Sequence, residues 1–397
     1  MEHTAQAPSG HGFSGFGIAD DVVRRLSAHG IVTPTAVQEA VMPLVAQGKN
    51  VMFQSETGTG KTFAFLLPLV QAMSEEPASK DVRLLIATPT YELASQIKVQ
   101  VQLVTDLPVA LCIGGAPLSR QLELLKARPA IVVGGPARLL ELIHLKKLKV
   151  ASVRTLVLDE ADRLLSPELR GETIGLLERL PSAVQLVGCS ATVSDFTRST
   201  LQMARTDGRG AVSNGARGIE LVTMPPEDVL KKQIEHWAVF AERRDKIDTL
   251  RSFVAAVKPK KLLVFTARND QLQNITSKLR YHNVECMALG SKTDKKERKT
   301  AIDRFRSGKL RVLVTTDLAS RGLDIADITH VVQLDFPDSA DFFIHRAGRT
   351  ARAGKTGVNC VIGDAWELQR YAALEKRLGI TVHPKALSHG QLVKPEA

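Results

Sequence analysis

Short apolar segments alternate along nearly the whole chain with segments in which apolar residues recur at helical spacing. Continuous apolar segments bounded by turn residues predict buried strands, and the segments between them predict amphipathic helices. Strands joined by helical crossovers form parallel sheets with helices on both faces. The pattern therefore predicts an α/β fold, with first-half strands at Val51–Gln54, Arg83–Pro89, Val109–Gly115, Ala130–Gly135, Thr155–Glu160 and Gln185–Thr192.

The second half repeats this alternation after an interruption rich in glycine, proline and polar residues. Thr206–Gly218 predicts a surface loop, and Met224–Asp228 predicts an interdomain linker. Two domains also suit a length of 397 residues. We predict a flexible N-terminus (1–12), a first domain (13–223), a linker (224–230), a second domain (231–385) and a short tail (386–397). The second-half strands are predicted at Lys261–Ala267, Val284–Gly290, Arg311–Asp317, Thr329–Asp335 and Val358–Gly363.

The balance of charge suggests a polyanionic partner. The formal net charge is +11, which favours a nucleic acid over a membrane surface. The alternative is that the charge only keeps the protein soluble. The longest apolar run, Phe63 to Met73, is shorter than the roughly 20 residues of a membrane span, so we expect no membrane partner.

The cysteines and the N-terminal segment predict an intracellular protein. The cysteines are scattered, without the spacing of a zinc site or a disulfide framework, so we expect reduced, buried thiols. The N-terminal segment has no apolar signal core, and its first arginine is Arg24. We expect a location in the nucleus, the cytoplasm or an organelle. The cysteines are Cys112, Cys189, Cys286 and Cys360.

A phosphate-binding segment follows the strand Val51–Gln54. The segment Ser55–Thr62 matches G-x-x-x-x-G-K-[ST] except that Ser55 replaces the first glycine. Its glycines let backbone N–H groups face phosphate oxygens, and the helix that follows favours the same anion. Lys61 is predicted to reach the β and γ phosphates, and Thr62 to hold Mg²⁺. The alternative is a glycine turn before a buried helix.

A pair of acidic residues ends the strand Thr155–Glu160. A carboxylate beside a phosphate loop suits Mg²⁺, so Asp159 is the candidate metal ligand, through water. Glu160 is the candidate general base for the attacking water. Without Lys61, such acids would indicate a solvated loop or the first turn of a helix.

The segment Asp159-Glu160-Ala161-Asp162 spells the name of the DEAD-box RNA helicases, a family of superfamily 2. The chain resembles this family from Phe13 to Pro384. The resemblance implies two tandem RecA-like domains, each a mostly parallel sheet with helices on both faces. It also implies ATP and Mg²⁺ as cofactors, and RNA as a partner that is bound through its backbone with little sequence specificity.

The resemblance extends to the residues that would bind and hydrolyse ATP. Gln38, in the segment Gly30–Gln38, matches the adenine-reading glutamine, because an amide can bond both N6 and N7 of adenine. Arg349 and Arg352 match the arginine fingers, which complete the catalytic set with Lys61, Asp159 and Glu160. The remaining ATP-binding candidates are Phe13, Ser55, Glu56, Thr57, Gly58, Thr59, Gly60, Thr62, Gly322 and Asp324, and the residues that would couple ATP to RNA are Asp162, Ser190, Thr192, His345 and Arg346.

The segments that match the RNA-binding motifs depart from the family more than the ATP-binding ones do. The family has arginine where Tyr91 stands and Thr-Pro-Gly where Gly135-Pro136-Ala137 stands, and the segment Gly290–Arg298 lacks the usual histidine and glutamine. These positions contact RNA in the family. The RNA-binding candidates are Pro89, Thr90, Gly115, Arg138, Thr266, Arg268 and Thr316.

Three functions follow as alternatives. The first is RNA-stimulated ATP hydrolysis coupled to local duplex unwinding or remodelling of a ribonucleoprotein particle, with an activating protein as a further partner. The second is an assembly factor that clamps RNA with weak or no ATP turnover, which the altered RNA motifs favour. The third is a DNA-directed translocase, which the adenine-reading segment and the Asp-Glu-Ala-Asp segment disfavour.

Overall fold

The computed structural model describes residues 2–4, 12–54, 60–76, 81–190, 197, 199–201, 218–223, 229–290, 293–320, 325, 327–351 and 355–395. The chain divides into two compact units, Met1–Met224 and Pro225–Ala397. The division falls within the predicted linker (224–230), of which residues 224–228 lie outside the described ranges. The domain bounds given above remain predictions.

The first unit is built on a parallel sheet with the strand order β1-β8-β2-β7-β6-β3-β5-β4. Neighbouring positions of one strand face opposite sides: Val51 and Phe53 pack into one apolar core, and Met52 packs into the other. The strands are β1 (Glu2–Thr4), β2 (Asn50–Gln54), β3 (Leu84–Ala87), β4 (Val109–Cys112), β5 (Ile131–Gly134), β6 (Thr155–Asp159), β7 (Gln185–Ser190) and β8 (Ile219–Thr223).

Helices cover both faces of this sheet and bury its apolar side chains, while the neighbouring strands pair its backbone groups. A short 3₁₀ helix, Phe13–Phe16, precedes these helices. The helices are α1 (Asp20–Ala28), α2 (Ala36–Ala46), α3 (Lys61–Glu75), α4 (Tyr91–Val104), α5 (Leu118–Lys126), α6 (Pro136–His144), α7 (Ala161–Leu164) and α8 (Arg170–Glu178).

The second unit holds a sheet in the order β11-β12-β10-β13-β14-β9-β15-β16, in which β15 and β16 are antiparallel and the other pairs are parallel. Its strands are β9 (Ile234–Phe240), β10 (Leu262–Phe265), β11 (Cys286–Leu289), β12 (Val312–Thr315), β13 (His330–Gln333), β14 (Gly357–Gly363), β15 (Val382–Ser388) and β16 (Gln391–Val393). Its helices are α9 (Lys246–Val257), α10 (Asn269–Tyr281), α11 (Lys295–Arg306), α12 (Asp317–Ser320), α13 (Ala340–Ala347) and α14 (Ala365–Leu378), and a short π-helix, Val229–Gln233, precedes β9.

The predicted α/β fold with two mostly parallel sheets is confirmed, and each predicted strand overlaps an observed one, although β2 and β14 begin one residue earlier than predicted, at Asn50 and Gly357. The pattern missed β8, β9, β15 and β16, which are half-exposed or interrupted by polar residues. The N-terminus was predicted to be flexible through residue 12, but Glu2–Thr4 pairs in parallel with β8. The open edge of β8 offers backbone N–H and C=O groups that this short segment satisfies.

The two sheets repeat one strand order, because β2-β7-β6-β3-β5-β4 of the first unit corresponds to β9-β14-β13-β10-β12-β11 of the second. Lys246 therefore occupies the place of Lys61, since each is the first residue of the helix after the corresponding strand. The Lys246 ammonium donates to Glu367 Oε2 at 2.5 Å and to the Leu334 carbonyl at 2.6 Å. A carboxylate of the protein thus neutralises this cation, where the first unit is predicted to bind phosphate.

We predict that Glu367→Ala strongly destabilises the second unit, because it leaves the Lys246 ammonium buried without its carboxylate. Breaking a buried pair in this way costs about 3–5 kcal/mol. Both tryptophans, Trp237 and Trp366, belong to the second unit, so urea denaturation followed by tryptophan emission reports on it. Glu285→Ala, which breaks the exposed Arg304–Glu285 pair, is the control and should change the midpoint little. Equal midpoints for the two variants would contradict the prediction.

Candidate functional site

The candidate groups of the first unit follow strands that are neighbours in its sheet. The predicted nucleotide groups follow β2 and β6, the predicted coupling residues Ser190 and Thr192 lie at the end of β7 between them, and the predicted RNA groups follow β3, β5 and β4. Because all these strands are parallel, their carboxyl ends lie along one edge of the sheet. The edge is thus divided into a nucleotide half and an RNA half.

The described end of the phosphate segment has the geometry that a phosphate loop requires. Gly60 has a positive φ of +86°, and a Cβ atom at this residue would lie 2.4 Å from Gln38 Nε2. Lys61 and Thr62 are the first two residues of α3, at its positive end. Ser55, Glu56, Thr57, Gly58 and Thr59 lie outside the described residues.

Gln38 joins the start of α2 to the phosphate segment. Its side chain is only 2% exposed. Its Oε1 accepts from the Thr35 backbone N–H at 2.9 Å, and its Nε2 donates to the Gly60 carbonyl at 3.0 Å. An amide oxygen has a second lone pair and the nitrogen a second hydrogen, so both atoms keep the capacity that a bidentate contact to adenine needs. The bonds seen here fix the orientation of the amide.

The predicted aromatic contact, Phe13, is buried in the apolar core of the first unit together with residues of α1 and α2. It lies in the 3₁₀ helix that leads into α1, and Phe16 packs against the same core. In this structure the Phe13 ring packs in one core with residues of α1 and α2, and α2 is the helix that contains Gln38. The predicted contact of Phe13 with a nucleotide stays a prediction.

The acidic pair at the end of β6 is held from two sides. Asp159 Oδ1 accepts from Cys189 Sγ at 2.7 Å and from the Glu160 N–H at 3.0 Å. Burial raises the pKa of the Asp159 carboxyl, and the positive charge of Lys61 acts against this shift. Glu160 has a left-handed backbone with φ +57°. Such strain in a residue other than glycine costs about 1–3 kcal/mol and is common at functional positions.

Cys189 is a contact that the sequence reasoning missed. It was interpreted only as a buried thiol, although it directly precedes Ser190 on β7, the strand beside β6. Burial raises the pKa of this thiol far above its usual value, so it stays protonated and can donate to Asp159. The register pairing of Asp159 with Cys189 was the signal, and only the structure supplies it.

Two of the predicted coupling residues meet. Ser190 Oγ accepts from the Asp162 N–H at 3.4 Å, which connects the end of β7 to the start of α7. Thr192 lies outside the described residues.

The RNA half of the edge combines a helix cap, a turn glycine and an arginine. Thr90 caps α4 through a bond from the Leu93 N–H to its Oγ1 at 3.3 Å, and Pro89 precedes it. Gly115 adopts φ +74° in the turn after β4. Arg138 is mostly buried, with Nε 2.8 Å from a Glu141 oxygen and Nη1 donating to the Ala116 carbonyl at 3.4 Å. In this structure Arg138 supports the loop that contains Gly115.

Tyr91, the first residue of α4, is 54% exposed beside Pro89 and Thr90. A large apolar ring that is mostly exposed at this edge is available to a ligand. Unlike the arginine of the family, tyrosine offers one hydroxyl and a ring face but no charge.

The carboxyl edge of the second sheet holds Thr266 and Thr316, after β10 and β12. Asp335 Oδ2 accepts from both Thr266 Oγ1 and the Ala267 N–H at 2.8 Å. Among the described residues, the buried Oγ1 of Thr316 has no hydrogen-bond partner, a state that a phosphate oxygen would relieve. Arg268 is exposed and pairs with Asp270 at 2.5 Å.

Arg346 connects two segments at the carboxyl edge of the second sheet. Its guanidinium binds both carboxylate oxygens of Asp317, at 2.7 and 2.6 Å, and donates to the Asp335 carbonyl at 2.6 Å. It therefore connects α12, α13 and the loop after β13. His345, its neighbour in α13, is half-buried.

Arg349 lies at the opposite edge of the second sheet from Thr266 and Thr316. It lines a cavity of about 540 Å³ with Lys260, Lys261, Thr329 and Lys355, which precede β10, β13 and β14. The reason is that α13 starts at the carboxyl edge and runs back across the sheet to the amino edge. The other predicted groups of this region, Gly322, Asp324 and Arg352, lie outside the described residues.

The remaining expectations concern cysteines, metals and membranes. All four cysteines are buried and unpaired by disulfides, as predicted. Within the described ranges, no cluster of three or more His, Cys, Asp or Glu side chains forms a metal site, and no helix has the length and apolar character needed to cross a bilayer.

Comparisons with known proteins agree with this geometry. The family model of the DEAD/DEAH box helicases matches residues 35–200, and the model of the helicase conserved C-terminal domain matches residues 245–354. The chain is 35% identical over 372 residues to the DEAD-box ATP-dependent RNA helicase CshC of Bacillus cereus, covering 91% of both chains. It is 34% identical to the probable ATP-dependent RNA helicase YfmL of Bacillus subtilis, over 92% of this chain and 94% of YfmL.

The structure is similar to that of S. cerevisiae Dbp5 bound to RNA and ADP BeF3, with a TM-score of 0.82, 26% identity and coverage of 95% of this chain and 96% of Dbp5. The fold is also that of Mss116p bound to single-stranded RNA and AMP-PNP, with a TM-score of 0.82, 22% identity and coverage of 97% and 82%.

We predict that Gln38→Ala lowers the preference for ATP over GTP by roughly tenfold, because a bidentate pair contributes about 1–3 kcal/mol of base discrimination. The measurement is competition of GTP with a fluorescent ATP analogue. Gln47→Ala, which removes an exposed glutamine at the end of the same helix, is the matched control and should keep the preference of the parent. Unchanged discrimination in Gln38→Ala would remove Gln38 from the base-reading site.

Proposed function

The chain belongs to the DEAD-box family of ATP-dependent RNA helicases, and we propose that it hydrolyses ATP in response to RNA and thereby separates short duplexes or remodels ribonucleoprotein particles. The observation that carries the proposal is the divided edge of the first sheet. Gln38, Gly60, Lys61 and Asp159 lie on its nucleotide half, and the groups that follow β3, β5 and β4 lie on its RNA half.

The residues at the nucleotide half fit MgATP. Asp159 is a buried carboxylate whose Oδ1 is held by two donors, which leaves Oδ2 to face a hydrated cation. Thr62 supplies a hydroxyl and Lys61 a cation at the start of α3. When bound, Mg²⁺ would neutralise charge that develops on the phosphates.

Glu160 is proposed to orient the attacking water and accept its proton. It caps α7 with a left-handed backbone, and the Asp159 carboxylate fixes the peptide N–H that joins the two acids. Arg349 is proposed to stabilise charge on the transferring phosphoryl group, and it lines a cavity with Lys260, Lys261 and the paired Lys355 and Asp327. Preorganised cations of this kind stabilise the charge on a transferring phosphoryl group.

RNA is proposed to bind through its sugar–phosphate backbone. Thr316 has a buried hydroxyl without a partner among the described residues, which a phosphate oxygen could supply, and Thr90 and Gly115 lie in a helix cap and a turn at the same ends of their strands. Contacts to 2′-hydroxyls, which DNA lacks, would give a preference for RNA over DNA. The bond between Asp162 and Ser190 supports coupling, because it connects the nucleotide segment to the end of β7.

One observation favours the alternative of an RNA clamp with slow turnover. Arg138 is paired with Glu141, and Tyr91 stands where the family has arginine, so the RNA half of the first edge carries less available charge.

Yeast Dbp5 has been solved with Gle1 and IP6. By analogy, a protein partner that activates turnover is part of our proposal for this chain.

We predict that Glu160→Gln lowers RNA-stimulated ATP turnover by about 10²–10⁴-fold, because it removes the general base and keeps the shape of the side chain. ATP should still bind. Lys61→Ala provides the contrast, because it should lose ATP affinity together with turnover. Both are measured as phosphate release and as binding of a fluorescent ATP analogue, with and without RNA. Turnover at the parental rate in Glu160→Gln would refute its role.

RNA stimulation of the unaltered protein separates the two functions. Strong stimulation of phosphate release supports the helicase, and RNA binding without stimulation supports the clamp.

We predict that Tyr91→Arg tightens binding of single-stranded RNA and steepens its salt dependence by about 0.7 log–log units, the effect of one added phosphate contact. Tyr91→Gln, which is similar in length but neutral, is the control and should not steepen it. Affinities are measured across a salt series with a non-hydrolysable ATP analogue. Weaker affinity with an unchanged slope would show that the Tyr91 ring itself is the contact.

A further inference from the structure

Two large aromatic side chains are exposed at the carboxyl edge of the second sheet. Phe240, the last residue of β9, is 56% exposed, and Trp366, in the first turn of α14, is 62% exposed. They belong to neighbouring strand ends, because Phe240 is the register partner of Gly363, the last residue of β14. Exposed rings of this size on adjacent strand ends indicate an interaction surface.

An arginine fixes the tryptophan from one side. The Arg370 guanidinium lies 4.6 Å from the Trp366 ring centroid and 5.2 Å from that of Phe336. Its Nη2 donates to the Pro337 carbonyl at 3.0 Å, and the nearest carboxylate, of Asp338, is 4.0 Å away. Arg370 thus packs between two rings, which orders Trp366 while most of the indole stays accessible.

These rings continue the edge that carries the predicted RNA groups. Phe336 directly follows Asp335, whose carboxylate binds Thr266 Oγ1 and the Ala267 N–H at 2.8 Å. In the sheet, β10, β13, β14 and β9 are consecutive neighbours, and they end at Phe265, Gln333, Gly363 and Phe240. A continuous series of contacts therefore leads from Thr266 through Asp335, Phe336 and Arg370 to Trp366.

We propose that Trp366, Phe240 and Arg370 form an aromatic platform that stacks an unpaired base of an RNA strand extending beyond Thr266 and Thr316. This inference rests on the proposed function, because it assumes that RNA follows the carboxyl edge of the second sheet. Bases stack on tryptophan and on arginine planes without sequence preference. The platform gives the second unit a contact to a base in addition to its contacts to the backbone.

The surroundings of the platform favour RNA over an apolar protein surface. Charged residues of both signs border the rings: Glu242, Arg243 and Arg244 follow β9 and are exposed, and the fully exposed Asp338 lies beside Arg370. The core of a protein interface is depleted of Glu and Asp, whereas here Glu242 and Asp338 border the rings. A single base can stack on an isolated ring with its phosphates in water, and Arg243 and Arg244 can attract those phosphates.

The first test is a double-mutant cycle, in which the Trp366 side chain and one RNA base are removed separately and together. Single-stranded RNAs that each carry one abasic nucleotide, placed at successive positions, are titrated against the full chain with a non-hydrolysable ATP analogue. We expect one position at which the abasic nucleotide weakens binding to the parent by about fivefold or more. Trp366→Ala should weaken binding of intact RNA by a similar factor and lose no further affinity at that position.

Two further variants separate stacking from other roles. Trp366→Phe keeps a ring and should recover most of the affinity. Tyr281→Ala removes a ring that is 84% exposed at the end of α10, away from the edge, and should bind RNA like the parent. Because Trp366 is outside the predicted ATP site, RNA-independent ATP turnover of Trp366→Ala should equal that of the parent.

The second test leaves the platform intact. In Trp237→Phe, Trp366 is the sole tryptophan, so saturable quenching of its emission by RNA reports stacking. If Trp237→Phe does not fold, the difference in quenching between the parent and Trp366→Phe gives the same information.

The outcomes separate this inference from the proposed function. Failure of the unaltered chain to bind RNA would contradict the proposed function. RNA binding without a coupled abasic position and without quenching of Trp366 would overturn the platform alone. Loss of a protein partner by Trp366→Ala, with RNA affinity and Trp366 emission unaffected, would also overturn it and assign the rings to a protein interface.

Discussion

The parallel direction of the buried strands is the constraint on which the positions of the functional groups depend. A parallel sheet collects the carboxyl ends of its strands on one edge, so residues far apart in sequence become neighbours there. In the first unit this brings the start of α3 and the end of β6 together, so that the Lys61 cation acts on the Asp159 carboxyl. The strand order then determines which functional groups lie next to each other on this edge. Nucleotide and coupling groups lie at the ends of three adjacent strands and RNA groups at the next three, with β6 and β3 as the boundary between them.

The repeated strand order explains why two similar sheets differ in chemistry. Each unit begins a helix with a lysine after the corresponding strand, Lys61 in one and Lys246 in the other. A cation at that place needs a partner of opposite charge. The second unit supplies one internally, because α14 directs Glu367 onto Lys246, and the pair is also tied to the Leu334 carbonyl. The first unit instead surrounds its lysine with a glycine at positive φ and with a carboxylate that suits Mg²⁺. At this position the second unit therefore pairs its lysine with its own carboxylate, whereas the first unit is predicted to pair its lysine with a phosphate.

The sequence predicted the elements of the fold well and the contacts of the site less well. Continuous apolar segments identified the central strands because these are buried on both faces. The strands β8, β9 and β15 were missed, since edge and half-exposed strands have no such pattern. Motif spacing and the family resemblance predicted roles for Gln38, Lys61 and Asp159, but they could not show that Gln38 binds the Gly60 carbonyl or that Cys189 donates to Asp159. These contacts depend on strand register and helix placement. The position of Arg349 at the amino edge depends likewise on the path of α13.

The candidate RNA surface relies on groups other than arginine charge. Arg138, Arg268 and Arg346 each have a carboxylate partner within the chain, so contacting a phosphate would weaken an existing ion pair. The net charge of +11 can still attract RNA from a distance, because long-range steering depends on the summed field and not on individual contacts. At close range, hydroxyls, backbone N–H groups and exposed rings remain. Rings discriminate between states of RNA, since a base can stack on protein only after it has left its own helix. A surface that gains affinity in this way binds separated strands more tightly than duplex, and this difference in affinity favours strand separation.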